Sequence, residues 1–199
     1  VDLKEKYKNG AIRALAARLA EAGVPAETSN AILAGGEGIP SSGAPERRAD
    51  WMRQAMDKMD ALLDTDTRNA IREGCACCLG GKRLEISRRI AAQNATLEDR
   101  IKAANESHFV FGHGVTRDPD GRITVWFEPE GREHYRCVCL PKASEPISIT
   151  YCYCCGGHIK HHLQIALGCR LSCEARSSAL SSGGKSPCAF TFTIEDEIG

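Results

Sequence analysis

The sequence predicts an α+β fold, with an N-terminal helical segment followed by an antiparallel sheet that carries helices on one face. Three observations predict it. Apolar residues recur at helical spacing up to Ser107. Beyond His108 short alternating apolar runs take over, separated by the turn sequences Asp118-Pro-Asp-Gly121 and Glu128-Pro-Glu-Gly131. Between two of these runs lies a strand-to-helix entry crowded with cysteine and histidine, Tyr151 to Gly168. The expected division is a helical segment over residues 1–64 and a cysteine-rich α+β unit over residues 65–199, or one continuous domain.

The composition narrows the function classes. Lys plus Arg number 26 and Asp plus Glu also number 26, so no net field steers the chain toward nucleic acid or an anionic membrane. No apolar run reaches the length of a membrane span, and the charged start lacks the apolar core of a signal peptide. A cytoplasmic protein is expected, with neither nucleic acid nor membrane as partner. Eleven cysteines in such a chain, an odd number, point to metal ligation or thiol chemistry rather than to a disulfide scaffold.

In order, Ile12, Leu15, Ala16 and Leu19 predict a helix from Leu3 to Gly23, and a second runs from Pro25 to Leu33. The Gly-, Pro- and Ser-rich run Ala34 to Glu46 is a loop. Glu46 to Leu63 is helical, with Trp51, Met52, Met56, Met59 and Leu63 as a core stripe. Thr65 is expected to cap a helix that runs on into Cys75-Ala-Cys-Cys78, placing Cys75 and Cys78 on one face and Cys77 elsewhere. Helices over Arg83–Gln93 and Thr96–Ser107 follow.

Phe109 and Phe111 predict a strand that turns at Asp118–Gly121 and returns through Ile123, Val125 and Phe127. A third strand, Glu133 to Leu140, places Tyr135, Cys137 and Cys139 on one face. Ile147 to Cys154 reads as extended, with Cys152 and Cys154 together. Gly156 and Gly157 turn the chain into a helix buried through Ile159, Leu163, Ala166 and Leu167 and ended by Gly168. Cys169 to Ala175 is a strand, Ser181 to Gly184 a turn, and the last strand faces Cys188, Phe190, Phe192 and Ile194 one way.

The thiols placed by these spacings as metal-ligand candidates are Cys137, Cys139, Cys152, Cys154, Cys188, Cys75 and Cys78, with His158 and His162, four apart on one helical face, as secondary candidates. Zinc is the expected ion. An iron–sulfur cluster fits less well, because the spacing matches no ferredoxin pattern.

From Tyr151 onward the chain resembles the end of the 4-vinyl reductase family of small-molecule-binding domains. The frame is Cys154 before Gly157, the Leu167-Gly168 helix end, Gly184, and Cys188-Ala-Phe190. It also resembles a group of uncharacterised cysteine-rich bacterial proteins that share Cys-x-Cys, Tyr-Cys-x-Cys and this ending. The resemblance implies an α+β ligand-binding fold, and carries Cys154 and Cys188 over as zinc ligands. Ser177 and Leu180 stand where the family has its other two, so the implied set is completed by Cys137, Cys139 or Cys152.

Three functions are then expected in order. In the first, zinc braces a small-molecule-binding, sensor-like domain whose pocket, lined by Phe109, Trp126 and Phe127, takes an apolar or aromatic molecule. In the second, a Cys-ligated metal activates water, with His158 or His162 as proton carrier. In the third, adjacent cysteines, Cys77-Cys78 or Cys154-Cys155, carry out thiol redox chemistry. Residues 1–64 are either a cap over the pocket or a homodimerisation element.

Overall fold

A computed structural model describes residues 2–197; residues 1, 198 and 199, the ends of the expected division, lie outside the described residues. The N-terminal half is helical. Helix α1 (Leu3–Lys6) is followed by α2 (Gly10–Glu21), so the single helix expected over Leu3–Gly23 is broken. Asn9 is the reason: its side chain accepts from the amides of Ala11 and Ile12 and starts a new helix. Helices α3 (Ala26–Leu33) and α4 (Pro45–Leu62) follow; Trp51, Met52, Met56 and Met59 of α4 are buried as a core stripe should be, while Leu63, the fifth residue expected in it, is the half-buried C-cap.

Helix α5 (Thr65–Gly74) is capped by Asp64, not Thr65, through a 2.9 Å bond to the Thr67 amide. It ends before the cysteines. Cys75 is its C-cap and Cys78 has a left-handed φ of 61°, so Cys75 to Cys78 form a turn and Cys75 and Cys78 share no helical face. Helices α6 (Gly81–Gln93) and α7 (Leu97–Asn105, capped by Thr96) lie where the apolar spacing puts them.

The first β-run departs from expectation. His108–Phe111 form a short helix, α8, and strand β1 begins only at Gly114 (Gly114–Arg117), pairing with β2 (Ile123–Trp126). Gly112 permits this change of direction, since a Cβ there would lie 2.8 Å from the Phe127 backbone. The expected third strand is absent: residues 133–140 are irregular, tied down by the Tyr135 amide on Gly184 O (2.9 Å) and by Arg48, which donates to Cys139 O (3.1 Å). Nor is Ile147–Cys154 extended. It forms a 3-10 turn, Ile149–Cys152, running directly into α9 (Tyr153–Leu167).

Strands β3 (Cys169–Ser177) and β4 (Ala189–Glu197) complete a four-stranded sheet in the order β1-β2-β4-β3, antiparallel throughout. This is the α+β architecture expected. One apolar cluster runs from Leu15, Met52 and Met59 in the helical half to Leu163, Phe190 and Phe192 beneath the sheet. Among the described residues no helix is long and apolar enough to cross a membrane.

Candidate functional site: a thiol cluster around a buried arginine

Three chain segments meet at the first turn of α9. The glycines expected as a turn lie inside that helix, and their absent side chains set its position. A Cβ on Gly157 would sit 2.4 Å from Glu73 O, and one on Gly156 would sit 2.6 Å from Cys173 Sγ. Only glycine lets α9 rest on the C-terminal end of α5 and on β3 at once. The consequence is contact between the last turn of α5, which carries Arg72, and the first turn of α9, which carries Cys154 and Cys155.

Arg72 is 3% exposed. It donates to Tyr151 O (3.1 Å) and lies over the Tyr151 ring at 4.8 Å, while its Nε has no hydrogen-bond partner. The acids of the neighbourhood are engaged elsewhere: Asp60 by Arg68 and Thr150, Glu73 by Lys160. Burial works against the charge of Arg72, but negative charge on its thiol neighbours, Cys154 foremost, outweighs it and holds the guanidinium protonated. A buried cation without a carboxylate needs another anion. The groups in reach are thiols.

Those thiols touch in a chain. Cys139 lies within hydrogen-bond reach of Cys137 and of Cys155, and Cys155 within reach of Cys154. The hydrogen bond from Cys155, helped by Arg72, brings Cys154 down to about 7 against the effect of burial. Hydrogen bonds from Cys137 and Cys155, with Arg72 and Arg48 nearby, depress Cys139 as well. The donors respond oppositely, Cys137 and Cys155 being pushed up and kept protonated. The resting arrangement is a thiolate on Cys139 or Cys154 facing one guanidinium, with protonated thiols on either side. The N-terminus of a fifteen-residue helix at Cys154 and Cys155 favours the same charge.

The remaining candidates lie around this chain. Cys75 reaches the other side of Arg72, though burial keeps its thiol protonated. Cys77 is within electrostatic reach of Cys139 and Cys154, and it is pushed up to about 11 by burial and by Cys78. Cys152, at the end of the 3-10 turn and so on no strand face with Cys154, is buried beside Ser178 within electrostatic reach of both Cys188 and Cys154, and burial raises it to about 12. Cys188 accepts from the Ala179 amide (3.4 Å). Cys154 and Cys188, the pair the resemblance carries over, thus have separate partners. Among the described residues no three His, Cys, Asp or Glu side chains form a group able to hold a metal ion.

The histidines have a different task. His158 donates from Nδ1 to Cys77 O (2.8 Å), His162 from Nε2 to Cys78 O (3.1 Å), and His161 from Nε2 to Leu79 O (3.1 Å). Three imidazoles of α9 hold three consecutive carbonyls of the Cys75–Gly80 turn. His162 also meets Ser87 Oγ at 3.1 Å, and its burial lowers it to about 4, so it is a neutral donor at physiological pH.

The profile of the DUF6144 family, described as a family of unknown function, matches residues 20–198. The chain belongs to this family. No curated protein and no solved structure matches it. The match takes in every cysteine of this DUF6144 chain, together with Arg72 and the three clasping histidines.

Beside the thiol chain, between α9 and the sheet, is a cavity of about 140 Å³. Of the three aromatic residues expected to line a pocket, Phe127 does so. Phe109 instead is 54% exposed beneath Lys82 and Arg83, and Trp126 sits on β2 opposite Gly114 and Ala189. Sequence reasoning passed over Arg72, and it placed Cys155 and Cys77 only among the adjacent thiols of the redox alternative. A lone arginine beside Ile71 carries no motif, yet it falls three residues before Cys75 on a helix end, a spacing that puts charge and thiol on one face.

Proposed function

We propose that the chain is a thiol–disulfide exchange protein whose working pair is Cys139 and Cys155. The supporting observation is Arg72, a buried guanidinium whose available counter-charge is thiolate. Hydrogen bonding from Cys155 favours a thiolate on Cys139 and keeps the proton on Cys155. Whichever sulfur faces an incoming disulfide attacks it, a mixed disulfide forms, and the other sulfur resolves it by attack on its neighbour, leaving a Cys139–Cys155 bond and two reduced ligand sulfurs. Cys154 lies against Arg72 as the alternative seat of the negative charge. A reducing compartment such as the cytoplasm would return the pair to the dithiol.

The test is peptide mapping by mass spectrometry after equilibration in a glutathione redox buffer. A Cys139–Cys155 disulfide that appears and disappears with the buffer ratio is the expected result, whereas cysteines that stay reduced or pair without preference would sink the reading.

One observation favours a second reading. Cys137, Cys139, Cys154 and Cys155 act on one another's protonation and number four, the count of a tetrahedral thiolate site, although as they stand they do not form a group able to hold a metal ion. Zinc drawn into this chain would displace its thiol protons and pull the sulfurs together, with Arg72 offsetting part of the excess negative charge, and it would brace the sensor-like unit expected from the sequence. Stoichiometric metal in protein purified without added zinc, with all four thiols unreactive, would favour this reading over exchange.

A further inference from the structure

We infer that the disulfide this pair accepts is a small uncharged one carrying a flat apolar ring, seated in the cavity between the first turn of α9 and the sheet. The inference rests on the exchange reading above and adds the substrate class to it. The cavity measures about 140 Å³. An apolar cavity of about 150 Å³ holds a benzene ring, so the space fits a single ring.

Its lining combines two chemistries. On the sheet side stand Phe127 and Phe190, edge to face with centroids 5.7 Å apart, an arrangement that offers aromatic surface to a third ring. Four cysteines complete the lining, Cys137, Cys152, Cys155 and Cys188, of which Cys155 belongs to the proposed pair. Glu128 and Arg136 line it too, one anion and one cation, so no net charge selects a carboxylate or an ammonium group. Val138, between the two cysteines of the 137–139 strap, is 87% exposed and lines the same space, which therefore opens to solvent beside the strap.

Cys155 lines the cavity and Cys139 does not, which assigns the order of events. Cys155 passes its proton to the Cys139 thiolate along their hydrogen bond and attacks one sulfur of the ring-bearing disulfide. The S–S bond of the ligand breaks, and its first thiolate leaves with the proton from Cys139. The Cys139 thiolate then attacks Cys155 Sγ, and the second ligand thiolate departs. One ligand disulfide is reduced to a thiol and a thiolate while one protein disulfide forms, so protons, charge and electrons balance.

The experiment compares two disulfides on the reduced full-length chain. Dipyridyl disulfide presents rings; bis(hydroxyethyl) disulfide does not. The ratio of their second-order rates, divided by the same ratio for free cysteine, should be roughly tenfold or more above one, the gain from burying one ring. Filling the cavity by Ala179→Leu, at a position 5% exposed in its lining, should return the ratio to that of free cysteine. Ala179→Val is read in the same way should the leucine variant fail to fold. A wild-type ratio equal to that of free cysteine, or a high ratio untouched by the filled cavity, overturns the inference yet leaves the exchange reading standing if the Cys139–Cys155 bond still forms. Failure of both reagents to give that bond overturns the exchange reading itself.

Discussion

Arg72→Met removes the guanidinium and keeps most of its aliphatic length, so the thiol chain loses its cation without losing its packing. Two unit charges about 4–5 Å apart at an effective dielectric near 20 attract by roughly 3–4 kcal/mol, and about 1.4 kcal/mol corresponds to one pKa unit. Cys154 sits at about 7, held there first by the hydrogen bond from Cys155 and then by Arg72. The hydrogen bond survives the substitution, so the rise should be about one to two units rather than the full electrostatic value. The assay is the pH dependence of iodoacetamide alkylation at Cys154, read on its peptide. At pH 7 the variant should react about tenfold more slowly, with the midpoint moved toward 9. Arg72→Lys, which keeps a cation, should recover part of the shift. Loss of the donor to Tyr151 O should also cost about 1–3 kcal/mol in urea unfolding. An unchanged midpoint in a folded Arg72→Met protein would refute the thiolate–guanidinium pairing on which the proposed function stands.

Stability should depend on pH in a definite sense. The folded value of Cys154 lies below its ordinary value near 9, so its contribution is present above 9 and is lost as pH falls through about 7. Cys152, raised to about 12, acts oppositely: its contribution is full below 9 and is lost between 9 and 12. Chemical unfolding under reductant should therefore find the reduced chain more stable at pH 9 than at either 6 or 11, and a steady fall from 6 to 9 would count against these assignments. Gly157→Ala should lose about 3 kcal/mol or fail to fold, because its Cβ would meet Glu73 O at 2.4 Å. Gly80→Ala, with nothing within 4 Å, should stay within about 0.5 kcal/mol of the parent; equal effects in urea titrations would contradict the helix contact. His161→Ala should raise hydrogen exchange at Cys78 to Gly80 and speed alkylation of Cys77, with the rest of the map unchanged.

Much of the fold was legible because its signals are local. The methionine stripe of α4, the Thr96 cap, the turn at Asp118–Gly121 and the Gly168 helix end each depend on a few neighbouring residues, and each is found in the structure. Three readings failed for one reason. Alternation through Phe109–Phe111, Tyr135–Cys139 and Ile147–Cys154 suggested strands, but these stretches are short and their form is decided by distant partners: Phe127 at Gly112, Gly184 and Arg48 at the strap, and the docking of α9 on α5. The site suffered in the same way. A strand period paired Cys152 with Cys154 and set Cys155 aside, whereas a helical turn brings Cys155 to Cys139 and sends Cys152 to Ser178. The histidines looked like ligands because His158 and His162 do share a face; what that face meets is a row of carbonyls.

The imidazole clasp has a consequence for how the protein is made. His158, His161 and His162 lie 81 to 84 positions after the carbonyls they hold, or 82 in the case of His161 and Leu79. Contacts of such sequence separation form late, since the intervening chain must first be ordered. On the ribosome, Cys75, Cys77 and Cys78 emerge well before α9 exists to cover them, and Arg72 emerges before any of its later thiol partners. A nascent chain therefore carries Cys75, Cys77 and Cys78 uncovered until α9 has been synthesised. Premature oxidation in that interval would compete with folding, and yield should improve when synthesis proceeds under strongly reducing conditions.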